Sequence, residues 1–193
     1  MDLKPKKLAV LIDADNSSIN SIEPVLEEIA KFGIASVKRV YGDWSSDTLK
    51  NWRDVLLPHA ITPVQQFAYT KGKDATDMIL IIDAMDLLYS GALDGFCIVS
   101  SDSDFTPLAS RIRESGLMVY GFGRKKTPEA FRKACDKFIY IENLEIEEKE
   151  DFRILKSWEK QGLNSLVLEI LQYRNTFVSK FSEISNKIDA EIR

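Results

Sequence analysis

Three observations in the sequence predict an α/β fold: a three-layer α/β/α sandwich built on a mainly parallel sheet. Two apolar runs, Leu8-Ala-Val-Leu-Ile12 and Phe96-Cys-Ile-Val99, lack the alternation of a half-exposed strand, as expected of strands covered on both faces. Strand-like and helix-like stretches alternate from Lys7 to about Tyr140, the pattern of right-handed βαβ crossovers. Gly33, Gly91, Gly95 and Gly116 fall between helical and strand stretches, where helices stop.

Periodicity and turn residues place strands at 7–13, 35–41, 62–68, 95–100, 117–122 and 137–141, and helices at 18–32, 46–57, 74–90, 104–115 and 128–134. The first strand ends in Asp13-Ala-Asp-Asn16, and the fourth runs into Ser100-Ser-Asp-Ser-Asp-Phe105. For Asp13 and Asp102 to meet, these strands must be neighbours, which gives the order 3-2-1-4-5. That order puts a switch point between their carboxyl ends, where ligands of open α/β sheets collect. In the long helix beginning near Asp74, Met78, Ile81, Ile82, Met85 and Leu88 are spaced to bury a wide face.

The main domain is expected over residues 1–144, followed by an acidic linker at 145–156 and a helical segment at 157–193. In the last, Leu163, Leu166, Val167, Ile170 and Leu171 mark one amphipathic helix, and Ser182-Glu-Ile-Ser185 opens a second carrying Ile184, Ile188 and Ile192. Two helices seldom form a stable unit alone, so they dock on the main domain, pair with another chain or belong to a longer protein.

With 193 residues, 45% of them hydrophobic, the chain can bury a full core in one domain. No apolar run approaches the roughly 20 residues of a membrane span, and the opening residues lack a secretory pattern, so a cytoplasmic protein with no membrane partner is expected. Cys97 and Cys135 are too few for a disulfide framework or a thiolate zinc site and read as packing residues. The net charge of -4 argues against a nucleic-acid partner until its distribution is considered. Residues 142–151 hold six acids against Lys149; outside them the chain has 25 basic and 24 acidic side chains.

Asp13, Asp102, Asp104 and Asp77 converge in this topology and could surround one or two hard cations. An all-oxygen site suits Mg²⁺ or Mn²⁺, whereas a lone histidine, His59, and the absence of cysteine pairs argue against zinc. Asn16 could orient a water or a phosphate oxygen. Each residue also has a plainer reading. Asp104, Asp15, Asn16 and Asp74 could cap helices, Asp43 could serve a turn, and Asp83 could face solvent. Crowded carboxylates repel, however, and are hard to explain as scaffold. Lys71, Lys73, Arg124, Lys125 and Lys126 form a basic rim for a polyanion, with a solvated loop as the plain alternative. Trp44 and Tyr69 could stack on unpaired bases or pack, and Arg111 and Arg113 are expected to face solvent.

Leu11-Ile-Asp-Ala-Asp-Asn16, Lys71-Gly-Lys-Asp-Ala-Thr-Asp77 with Asp83, and Val99-Ser-Ser-Asp-Ser-Asp-Phe-Thr-Pro-Leu108 resemble the NYN domain, LabA-like branch, over about residues 7–142. Phe122-Gly-Arg-Lys-Lys-Thr-Pro-Glu-Ala-Phe131 and Phe138-Ile-Tyr-Ile-Glu-Asn-Leu144 are similar to its closing region. The resemblance implies a PIN-like nuclease fold and a metal-dependent endoribonuclease acting on RNA, with single strands the expected substrate. It points to Asp13, Asn16, Asp77, Asp102 and Asp104 as catalytic residues, the four aspartates as metal ligands, and Asp83 as a weaker transfer. Ser101 stands where the family commonly has glycine. The C-terminal segment faintly resembles the start of a LOTUS (OST-HTH) module.

Two other functions fit parts of the sequence. Asp13-Ala-Asp15 mimics the nucleophile and acid of haloacid-dehalogenase-type phosphatases, although Ile19 to Phe32 reads as an immediate helix where that fold inserts a hairpin flap. A catalytically silent PIN-like domain that binds RNA or protein would keep the fold without cutting. The sequence leaves the oligomeric state open, a homodimer included.

Overall fold

The computed structural model describes residues 4–45, 47–65 and 75–145. Six strands form one sheet: β1 (Lys7–Asp13), β2 (Ile34–Gly42), β3 (Thr62–Gln65), β4 (Gly95–Val99), β5 (Met118–Gly123) and β6 (Lys137–Tyr140). Their order is β3-β2-β1-β4-β5-β6, and every adjacent pair is parallel. The expected five-strand order is therefore present, extended at one edge by β6. The helices are α1 (Ile22–Ala30), α2 (Arg53–Leu56), α3 (Ala75–Tyr89), α4 (Thr106–Glu114) and α5 (Glu129–Ala134).

Alternation within β1 shows how the three layers are held. Leu8, Val10 and Ile12 pack with Ile22, Val25 and Ile29 of α1 and with Leu49 and Trp52, whereas Ala9 and Leu11 pack with Leu80, Ala84 and Leu88 of α3 and with Leu108, Ala109 and Ile112 of α4. Both faces of β1 are thus apolar, which is why its sequence does not alternate. Each large side chain removed from water in this way contributes about 1.5–3 kcal/mol before the cost of ordering the chain. Cys97 and Cys135 are buried and unpaired, in keeping with a packing role. Burial pushes the Cys97 thiol well above its ordinary range and, with the nearby Asp136 charge, raises Cys135 to about 12.

Three predicted helices begin differently from expectation. The stretches before α1, α2 and α4 are 3₁₀ turns, at Ile19–Ser21, Asp47–Trp52 and Ser103–Phe105. Such tighter turns are common at helix starts and leave the sequence periodicity little changed. In α3 the inward stripe is Leu80, Ala84 and Leu88, while Met78 and Ile82 are 60% and 54% exposed. Of the expected stripe, Leu88 is buried and Ile81 and Met85 are half-buried against the same core, so spacing placed three of its five residues and missed at Met78 and Ile82, because α3 is apolar on several faces. Gly91 and Gly116 close the turns after α3 and α4 with φ of 64° and 81°, where a Cβ would be strained.

Arg113 is exposed, as expected, while its Nε donates to Asp136 at 3.0 Å and its guanidinium reaches the Ala134 carbonyl. Arg111 donates to the Tyr89 hydroxyl at 3.0 Å. Trp44 donates to the Val64 carbonyl and meets Trp52 edge-on, which makes it a packing residue. Asp43 holds a turn, accepting from Ser45 and from the Gln65 side chain. No helix among the described residues is long and apolar enough to cross a membrane. Lys71, Lys73, Tyr69, Asp74, the end of the strand expected at 62–68 and the segments beyond residue 145 lie outside the described residues.

Candidate active site

β1 and β4 are neighbours, yet the chain leaves β1 toward β2 and leaves β4 toward β5. Their carboxyl ends therefore open a crevice, and Ile12 lies opposite Val99 just beneath it. Asp13, the last residue of β1, is fully buried. Its Oδ1 accepts the backbone N–H groups of Asp15 and Asn16 at 3.1 and 3.3 Å; its Oδ2 accepts Asn16 Nδ2 at 2.8 Å and Ser100 Oγ at 2.7 Å. Four neutral donors thus converge on one carboxylate, and no cationic side chain pairs with it among the described residues.

Ser100 carries the connection onward. While its hydroxyl donates to Asp13, its oxygen accepts the Asp102 N–H at 3.1 Å. Asp102 Oδ1 accepts the Asp104 N–H at 2.9 Å and caps the 3₁₀ turn leading into α4. The capping role considered for Asp104 belongs to Asp102. Asp104 itself is exposed, and its carboxylate has no hydrogen-bond or ion-pair partner among the described residues. Asp13, Asn16, Asp102 and Asp104 are therefore one connected unit. Sequence reading overlooked Ser100, which links them; its only signal was a hydroxyl at the end of a fully buried strand.

Asp77 lies in the first turn of α3, a helix that starts at the carboxyl edge, runs back to the start of β4, and packs against the Ser103–Phe105 turn. Asp83 has a different role from its neighbours in the motif. It accepts from the Arg39 guanidinium and the Tyr41 hydroxyl, both on β2, and so fastens α3 to the sheet. Burial foremost, then the bond to Asp83, pushes the Tyr41 hydroxyl far above its ordinary range. The Asp83 carboxylate likewise raises Arg39.

Arg124, Lys125 and Lys126 follow β5 on the same edge. Ser101 Oγ accepts the Arg124 N–H at 2.9 Å, and both oxygens of Glu142 accept the Lys125 N–H at 3.0 Å. Thr127 N–H closes the turn on the Arg124 carbonyl. Gly123 makes this approach feasible, since a Cβ there would stand 2.6 Å from the Ser100 carbonyl oxygen. The backbone of the basic loop is thus anchored while its side chains face outward. Ser101, in the position where glycine is common, supplies one of the anchors.

The donor set is all oxygen and fits a hard cation, but its geometry limits the kind. Among the described residues no three Asp, Glu, His or Cys side chains converge as a ligand cage, and both oxygens of Asp13 already hold donors. The four aspartates expected to converge therefore form no direct cage, and the carboxylates present fit only a hard ion that keeps most of its waters. His59 lies before β3, at the opposite edge of the sheet, so the site holds no imidazole base.

No curated protein matches the chain. Among solved structures, it resembles a protein of unknown function, VPA0982 from Vibrio parahaemolyticus RIMD 2210633, with a TM-score of 0.59 and 18% identity, covering 73% of this chain and 96% of that one. At that identity the likeness speaks for the fold alone. The NYN domain family matches residues 7–142, which include every element of the sheet and the whole acidic edge. Members of that family are generally ribonucleases of the PIN-like superfamily that use divalent metals. The chain belongs to the NYN domain family, within the PIN-like nuclease superfamily.

Proposed function

We propose that this protein is a divalent-metal-dependent endoribonuclease of the LabA-like branch that hydrolyses phosphodiester bonds in single-stranded RNA. The observation that carries the reading is the connected unit of Asp13, Asn16, Ser100, Asp102 and Asp104 at the switch point, on the same edge as a three-cation loop. Asp102 and Asp104, which share one turn, would hold Mg²⁺ or Mn²⁺, with Asp77 of α3 on the same edge and, among the described residues, outside any direct cage of three carboxylates. Bound there, the cation would supply an acidified water and offset the charge that builds on the transferring phosphate.

The chain's own residues do the rest. Asp13 fixes the amide of Asn16 and the hydroxyl of Ser100, and through Ser100 the turn that carries Asp102 and Asp104. Its uncompensated charge draws cations to the crevice. Arg124, Lys125 and Lys126 hold the strand's phosphates, with Lys71 and Lys73 as a second rim. The 3₁₀ turn and α1 follow Asn16 directly, leaving no flap of the phosphatase kind over Asp13.

Cleavage of labelled single-stranded RNA with Mg²⁺, Mn²⁺ or chelator tests the reading. The wild type should cut only with metal, and Asp102→Asn should lower the rate at least a hundredfold while the fold is retained. An RNA that is bound but never cut, with Asp102→Asn behaving as wild type, establishes the silent binder instead.

A further inference from the structure

Away from the acidic edge, α1, the amino end of β2 and the turn before β3 border a cleft of about 520 Å³, within the range of small-ligand sites. Its walls are mostly apolar and open to contact: Ile34 is 53% exposed, Ala30 and Pro58 are exposed, and Leu26 is half-buried. Its polar side chains are Lys38 and His59, and no carboxylate lines it.

Lys38 is the group that packing does not explain. Its Nζ donates to the His59 carbonyl, and no carboxylate pairs with it among the described residues. An ammonium has three donors, so two remain to meet solvent or a ligand. A half-buried cation beside apolar walls gives up hydration without gaining a counter-charge, and an anion in the cleft would supply one. The turn facing it also holds an unfavoured shape: Ala60 is the one non-glycine among the described residues with a positive φ, at 50°. Backbone strain of this kind clusters at ligand sites.

The backbone decides which anion fits. Phosphates are commonly cradled by several free N–H groups, but here those of Gly33, Ile34, His59 and Ala60 donate to the carbonyls of Ile29, Lys6, Val55 and Leu57. With no amide nest and no arginine, a single ammonium matches a single negative charge. The apolar walls match a hydrocarbon body.

We infer that this cleft binds a small organic carboxylate, its charge on Lys38 and its apolar body along Leu26, Ala30, Ile34 and Pro58. The site is remote from the acidic edge, so it is tested without RNA or metal. Isotope-labelled full-length protein is titrated with hexanoate, hexanol, acetate and hexyl phosphate while amide resonances are followed. Hexanoate should shift the amides of residues 26–38 and 59–61 saturably and bind tighter than hexyl phosphate. Hexanol and acetate, each lacking half of the match, should bind at least about tenfold more weakly. Lys38→Met keeps the stem without the charge, so hexanoate should weaken by about tenfold and hexanol stay as it was, while Lys38→Arg restores most of the affinity. Because Lys38 also holds the turn, Ile34→Glu gives a second test at the exposed rim, where the added carboxylate should weaken hexanoate severalfold with Lys38 in place. Absence of saturable shifts, hexanol or acetate binding as well as hexanoate, tighter binding of hexyl phosphate, or Lys38→Met and Ile34→Glu proteins that bind as wild type would overturn the site.

Discussion

Two carboxylates of the acidic motifs, Asp13 and Asp83, are settled by this fold in opposite ways. Asp13 at the switch point is surrounded by backbone amides, an asparagine and a serine, all neutral. Asp83 at the seam between α3 and β2 meets a guanidinium and a tyrosine hydroxyl. The seam closes its own charge balance within the protein and reads as structure. The switch point surrounds its buried carboxylate with neutral donors only, with no cationic partner among the described residues, which is the contrast the proposed cation-dependent function builds on. What separates a functional from a structural aspartate here is the charge of its partners, since both are hydrogen-bonded.

The largest effect expected from breaking this contrast comes from Asp13→Asn. An amide must turn a donor toward either the paired backbone N–H groups or the Asn16 and Ser100 donors. One buried hydrogen bond becomes a clash of donors, at about 1–3 kcal/mol. The lost charge should also abolish cleavage, so denaturant melts and RNA turnover should both fall. Full activity in a folded Asp13→Asn protein would refute the role given to this carboxylate.

Asp83→Asn probes the other side of the comparison. It removes a charge-assisted pair that is partly open to solvent, so stability should drop by about 1–3 kcal/mol, measured by denaturant midpoint. Per-molecule cleavage below the melt should change little, because the neutral amide still reaches Arg39 or Tyr41 and α3 stays docked. A cleavage loss as deep as that of Asp102→Asn would instead put Asp83 in the active site.

The seam also has a pH signature. The Tyr41 hydroxyl titrates higher in the folded protein than its ordinary value near 10 in an unfolded chain. Its contribution is therefore complete below pH 10 and is lost as pH rises above that, because the unfolded chain releases the proton first. Stability should be level with respect to this group from pH 6 to 9 and decline above 10. Tyr41→Phe should remove that component of the alkaline decline while costing about 1–2 kcal/mol at neutral pH. An unchanged alkaline slope in the variant would assign it to other groups.

Much of this arrangement was legible before any coordinates. Non-alternating apolar runs ending in Asp13 and before Asp102 imposed a sheet covered on both faces, and bringing those ends together imposed the strand order. What stayed hidden depended on contacts distant in sequence. Arg39 meets Asp83 across 44 positions, and no local pattern announces that pairing. Ser100 is a small hydroxyl in a serine-rich turn whose importance lies in bridging two strand ends. The inward face of α3 was only partly legible: Ile81, Met85 and Leu88 pack as expected, but Met78 and Ile82 do not, because apolar residues surround that helix and the sheet decides among them.

The smallest expected effect is the most discriminating for the edge as a working surface. Ser101 Oγ holds the Arg124 N–H, joining the acidic turn to the basic loop. Ser101→Gly deletes that bond, worth about 0.5–1.5 kcal/mol, and loosens the turn, yet touches neither a carboxylate nor a cation. If the loop serves to position phosphate, the apparent KM for RNA should rise about threefold to tenfold with kcat nearly constant, since the lost order must be restored on binding. Ser101→Thr, which keeps the hydroxyl, should restore most of the affinity. A fall in kcat at unchanged KM would place Ser101 with the carboxylates, and the basic loop would then owe nothing to its anchor.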